Sequence, residues 1–143
     1  MSQSVSSCPQ NFVVIGNPGD RRVELFQAAL AGLQLPEARL VPYADLISRR
    51  VQLDKLITPA SLVRIESPGR NFEVERALLA LGAEIDDPEG TYTRLSKREV
   101  EALSFEKGRI LPSRQWYLGY WQVLKQIARQ IVPEQLFNLP DDI

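Results

Sequence analysis

No histidine occurs among the 143 residues, and this absence excludes whole classes of chemistry. Without imidazole there is no usual general base near neutral pH, no Ser-His or Cys-His nucleophile pair, and none of the commonest zinc ligand sets. Any chemistry has to run on carboxylates, Lys, Arg, Tyr or a bound cofactor. The single cysteine, Cys8, has no second thiol for an internal disulfide or a shared metal, which fits a reducing cytoplasm. Long apolar runs are missing too. The longest, Ala77 to Leu81, is far too short to span a bilayer, and the start of the chain lacks the basic-then-apolar order of a signal peptide. Nor is there an excess of one charge: seventeen basic against eighteen acidic residues leave a net charge of −1, so no overall field draws the chain to nucleic acid or to an anionic membrane. The expectation is a soluble, cytoplasmic protein with neither nucleic acid nor membrane as partner.

What is present is ordinary for one globular domain, with 44% apolar and 24% charged residues. Residues 1–11 form a polar, Ser-rich leader expected to be disordered. Phe12 to Ile15 is a short β-rich run ended by Gly16. Val23, Phe26, Leu30 and Leu33 then recur at helical spacing until Gly32 and Pro36 stop the pattern. Arg39 to Tyr43 is a second strand candidate, Asp45 to Ile57 has room for one or two short helices, and Leu62 to Ile65 is a third strand. A helix follows, capped by Ser67 or Asn71, with Glu73 and Glu75 near its positive end and Gly82 placed to stop it. Ser96 and Glu99 stand in capping-box spacing before a short helix. Trp116, Tyr120, Val123, Ile127 and Ile131 mark a long amphipathic helix that begins near Ser113. Residues 133–143, with two prolines and no periodicity, read as an exit segment that packs on nothing.

Two stretches echo each other at an offset of fifty residues: Ile15, Pro18, Gly19 and Gly32 fall on Ile65, Pro68, Gly69 and Gly82. Four matches are few, and two strand-loop-helix units converge easily on Gly and Pro at turns. Strands alternating with helices imply a parallel sheet covered by helices. Right-handed crossovers then bring both Pro-Gly loops to its carboxyl edge, where ligands bind in open α/β sheets.

The first loop, Gly16, Asn17, Pro18 and Gly19 followed by Arg21 and Arg22, offers backbone N–H groups at a helix start and two fork donors, which suits a phosphate or carboxylate. It matches neither the dinucleotide fingerprint nor the P-loop pattern, and it reads as a plain turn with solvated arginines first and as a substrate-side contact second. The second loop runs through Glu66, Ser67, Pro68, Gly69, Asn71 and Phe72. Strand alternation puts Arg64 and Glu66 on one face, where they either mark a ligand site or pair with Arg70 or Arg76. Trp116, Tyr117, Tyr120 and Trp121 spread around more than half of a helix, with Gly119 between them able to admit a close neighbour. One stripe belongs to the core, and the other side is a candidate stacking or protein-contact surface.

The stretches "FVVIGNPGDRRVELFQAAL", "VRIESPGRNFEVERALLALGA" and "QWYLGYWQVL" together resemble the N-terminal region of a bacterial ATP-grasp-like family of unassigned function, associated with radical S-adenosylmethionine proteins. The resemblance covers nearly all of residues 12–143 and implies a pre-ATP-grasp domain over 12–132. That domain is an α/β, Rossmann-like three-layer unit with a short, mainly parallel sheet and a long C-terminal amphipathic helix. It also implies that the exit segment leads toward an ATP-grasp body supplied elsewhere. ATP and magnesium belong to a complete family member; within this chain no catalytic, cofactor or metal residue is expected. The expected function is the substrate side of a carboxylate-amine ligase-like protein, inactive alone and partnered by separate ATP-grasp domains and a small anionic substrate. The alternatives are a stand-alone small-anion or nucleotide binding module, or a protein-interaction domain using the aromatic helix.

Overall fold

The computed structural model describes residues 11–88, 90 and 93–137. The expected leader up to Gln10 and the closing residues 138–143 lie outside the described residues. Asn11, assigned to that leader, instead opens the first strand, β1 (Asn11–Gly16). Helix α1 (Arg21–Gly32) follows, then β2 (Arg39–Pro42), two short helices α2 (Tyr43–Ile47) and α3 (Leu53–Leu56), and β3 (Ser61–Ile65). After β3 come α4 (Phe72–Ala83), α5 (Lys97–Glu101) and α6 (Ser113–Gln130), a single 3-10 turn at Pro133–Gln135, and a two-residue strand β4 (Leu136–Phe137).

All four strands run parallel in the order β2-β1-β3-β4. The apolar runs of β1 and β3 alternate between two covered faces, which is why neither reads as one-sided. Val13, Ile15, Val41, Val63 and Ile65 point into the larger core together with Val74 and Leu78 of α4 and Val123, Leu124 and Ile127 of α6. Val14 faces the other way, into a smaller cluster with Val23 and Leu30 of α1. The chain is thus an α/β unit with helices on both sides of a small parallel sheet. Strands β1 and β3 are neighbours, and the connection through α1 leaves β1 toward β2 on one side while the connection through α4, α5 and α6 leaves β3 toward β4 on the other. The carboxyl ends of β1 and β3 therefore form a topological switch point.

The register of this pair explains the internal echo. Asn11 pairs with Ser61 and Ile15 with Ile65, an offset of fifty at every position, the same offset that relates the two Pro-Gly loops in the sequence.

Several expected boundaries move for physical reasons. Tyr43, expected in the second strand, starts α2 and is fully buried, because its hydroxyl donates to the Glu66 carbonyl at 2.5 Å. Gly32 does not terminate α1 through a left-handed turn. Gln34 does so, with φ 60°, while Gln34 N–H donates to Ala31 O at 3.0 Å and Leu35 N–H to Leu30 O at 2.9 Å, the paired bonds of a Schellman ending. Gly82 lies inside α4 rather than after it. A methyl group there would stand 2.9 Å from the Gln115 carbonyl carbon, and one at Gly119 would stand 2.7 Å from the Leu78 carbonyl carbon. The α4–α6 pair is the most extensive helix contact, and these two glycines set its closeness. Buried Gln115 ties the pair to the preceding loop: it donates to Leu79 O and Leu95 O and accepts from Leu95 N, each at 2.9 Å.

The described part of the exit segment, residues 133–137, is packed, contrary to expectation. Leu136 and Phe137 add to β3 as a parallel edge strand, and Gln135 Nε2 donates to Thr58 O and Ser61 O at 2.8 Å. Backbone pairing needs no side-chain periodicity, so composition concealed it.

Candidate functional site

The two Pro-Gly loops meet at the switch point. Asn17 Nδ2 donates to Pro68 O at 3.0 Å, a bond across fifty-one residues of chain. Around it lies a cavity of about 560 Å³. From the first loop Asn17, Pro18, Gly19, Arg21 and Arg22 line it; from the second Ser67, Gly69 and Asn71 do. Four other candidates serve different ends. Gly16 lets β1 abut α1, since a methyl group there would lie 3.0 Å from Val23 Cγ2. Pro68 contributes its carbonyl to Asn17. Glu66 turns toward Arg64, and Phe72 packs edge-on against Phe105.

Local chemistry builds both corners. In the first, Asp20 N–H donates to Asn17 O at 3.2 Å and Gly19 takes φ 80°, a region that only glycine enters without strain. Asp20 then caps α1 by accepting from Arg22 N at 2.7 Å. In the second, Ser67 Oγ accepts from Gly69 N at 3.2 Å, Arg70 takes φ 65°, and Asn71 caps α4 by accepting from Val74 N at 3.1 Å. Two twelve-residue helices thus direct their N-terminal ends at one edge. Each end carries a partial positive charge.

Three guanidinium groups surround the cavity. Arg21, Arg22 and Arg70 are exposed, and none of them forms an ion pair within 4.0 Å among the described residues. Arg70 was weighed in the sequence only as a partner for Glu66. Its position became legible once the register brought the second loop beside the first. The one acidic lining residue, Asp20, is engaged at the helix start. Leu25, 56% exposed, supplies an apolar wall.

Asn17 is the unusual member. It is 4% exposed, and its Oδ1 has no hydrogen-bond partner among the described residues. The amide orientation follows from Pro68, whose carbonyl can only accept and so requires the NH2 group on its side. A buried acceptor left without a donor costs about 1–3 kcal/mol.

Arg64 and Glu66 resolve as a mutual pair. Arg64 Nε donates to Glu66 Oε1 at 2.6 Å, with Glu66 5% exposed and the guanidinium 4.9 Å from the Phe26 ring centre. Neither Arg70 nor Arg76 takes that role. On the other side of the strand end, Tyr43 and Tyr120 contact each other, hydroxyl to hydroxyl, at 3.3 Å. Burial, reinforced by Tyr120, pushes the Tyr43 phenol well above its ordinary pKa, and burial also raises that of Tyr120. Both remain neutral hydrogen-bonding groups: Tyr43 braces the Glu66 carbonyl, and Tyr120 contacts the Tyr43 hydroxyl behind it.

On the aromatic helix, Trp116 and Tyr120 pack against the larger core and Lys125 lies 3.8 Å from the Trp121 ring centre, while Tyr117 is exposed. No group of three or more Cys, Asp or Glu side chains gathers among the described residues as a metal site would require. No helix among them is long and apolar enough to cross a membrane. Compared with models of protein families, with curated proteins and with solved structures, the chain matches none.

Proposed function

We propose that the chain is a domain that binds a small organic anion at the carboxyl edge of its sheet, and that it serves the substrate side of an ATP-grasp-type, carboxylate-amine ligase-like protein. One observation carries the first half: the Asn17–Pro68 bond joins two loops whose three arginines and two helix N-termini converge on one cavity. Guanidinium forks and free helix-start N–H groups are the donors that phosphate and carboxylate oxygens take. The second half rests on the resemblance of three stretches, two of which build these corners. Under this reading the chain holds and orients a substrate, while ATP, magnesium and the charge stabilisation of acyl transfer belong to other lobes.

Thermal melting with inorganic phosphate, citrate and succinate tests the binding half. At a hundredfold excess over the dissociation constant, stabilisation of about 2.7 kcal/mol is expected, and the double variant Arg21→Ala, Arg22→Ala should abolish it without lowering the unliganded melting temperature. A melting curve that no anion moves refutes the binding half. Magnesium-dependent ATP turnover by the purified chain refutes the substrate-side half.

A further inference from the structure

Resting on that reading, we infer that Tyr43 and Asn17 are positioning residues of the site: they hold the second loop in the shape that brings Arg70 to the cavity. The loop carries the mark of an imposed geometry. Arg70 takes φ 65°, a left-handed conformation that costs any residue with a side chain and persists where the surroundings dictate it. Gly69, beside it, would enter that region freely and does not take it. The strained position therefore falls on the arginine that lines the cavity, and something outside residues 69 and 70 has to hold it there.

Two side chains from other elements supply that constraint. Tyr43, fully buried at the start of α2, donates its hydroxyl to Glu66 O at 2.5 Å, and Asn17 Nδ2 donates to Pro68 O at 3.0 Å. These carbonyls stand on either side of Ser67. Glu66 N–H donates to Ile15 O at 2.9 Å, so the loop is already fixed as it leaves β3, and at its far end Asn71 caps α4 through Val74 N. The turn has to be completed between those ties, at Gly69 and Arg70. Tyr43 does not line the cavity, so it acts on a ligand only through the loop. The Asn17 oxygen, buried without a partner among the described residues, costs about as much as the bond to Pro68 returns. The amide thus adds little to stability, and what it does is hold the loop. A loop ordered before the ligand arrives strengthens binding, because its ordering is not charged against the complex.

A double-mutant cycle on the full chain tests the inference. Inorganic phosphate, citrate and succinate are titrated calorimetrically at a temperature where circular dichroism shows every variant folded, and the anion that the wild type binds most tightly is carried through the cycle. Tyr43→Phe keeps the ring and removes the hydroxyl, and it should weaken binding roughly fivefold, about the worth of one hydrogen bond. Arg70→Ala should weaken binding too. In the Arg70→Ala background Tyr43→Phe should cost less than about twofold, because the side chain it positions is gone. Asn17→Ala should behave as Tyr43→Phe does in both backgrounds. A merely structural role for Tyr43 predicts no change of affinity in the folded protein. Full affinity in Tyr43→Phe, full affinity in Arg70→Ala, or equal costs of Tyr43→Phe in the two backgrounds each overturn the inference and leave anion binding standing. A wild-type chain that binds none of the three anions removes both readings. Should Asn17→Ala fail to fold, the Tyr43 cycle decides the question alone.

Discussion

Replacing Gly119 by alanine adds one methyl group, and the position of that group determines the outcome. It would lie 2.7 Å from the Leu78 carbonyl carbon and 3.1 Å from Leu78 Cα, whereas carbon atoms rest at about 3.5–4.0 Å. The Leu78 carbonyl oxygen lies closer still, and because these are backbone atoms in α4 no rotamer change relieves the overlap, so the two helices have to separate by more than about 0.8 Å to restore contact. A gap of 0.5–1 Å forfeits roughly a quarter to a half of each dispersion contact it opens. The contacts at stake include Leu78, Val123, Leu124 and Ile127. Overpacking typically costs about 1–3 kcal/mol, and a rigid backbone obstacle places Gly119→Ala at the upper end, about 3 kcal/mol. For a chain of this size about 3 °C of melting temperature goes with each kcal/mol, so a fall of about 9 °C is expected. The control is Gly32→Ala, in α1, where a methyl group meets no atom of the described residues within 4 Å. Helix propensity then dominates, and the change should stabilise by up to about 1 kcal/mol. Scanning calorimetry or urea unfolding of both variants reads the difference. If Gly119→Ala melts within a degree or two of wild type, the close α4–α6 approach is wrong.

Other consequences follow from single residues. Gln34→Gly should stabilise the chain by about 1 kcal/mol in urea unfolding, because glycine occupies the left-handed Schellman position at φ 60° without the cost a side chain incurs. Gln115→Leu should destabilise by about 2–4 kcal/mol in the same assay, since it leaves the carbonyls of Leu79 and Leu95 and the Leu95 N–H without their partner inside the fold. Tyr43 governs an alkaline limit. Its folded pKa lies above the unfolded value of about 10, so the stability it contributes is complete below pH 10 and declines as the unfolded chain begins to release that proton. Tyr43→Phe should therefore lower the melting temperature at pH 8, through the lost bond to Glu66 O, yet show a shallower decline between pH 10 and 12.

How legible was the site? The loops were, because Gly19 and Asn71 act on their own neighbours: one turns the chain at positive φ, and the other caps the helix that starts beside it. The same holds for the capping box of Ser96 and Glu99, where each side chain bonds the other's backbone. Arg64 and Glu66 were seen to share a face, but their mutual bond was not foreseen. Alternation fixes the side of a strand and says nothing about which of several nearby charges a side chain reaches. Arg70 and Leu25 were missed for a related reason, since a cavity wall collects residues from separate loops and no spacing within one loop reveals it.

From the sequence alone came the βα alternation, the two Pro-Gly corners and their arrival at one sheet edge. Turn formers, caps and apolar runs act across a few residues, and the handedness of crossovers does the rest. Tertiary structure alone decided the fifty-residue register of β1 on β3, the addition of Leu136 and Phe137 as a fourth strand, and the role of Gly82 as a contact point instead of a stop. It also decided the commitment of the Asn17 amide to Pro68. Each of these depends on backbone atoms far apart in the chain coming within a few ångströms, and backbone groups are nearly the same in every residue, so side-chain patterns carry no record of which of them meet.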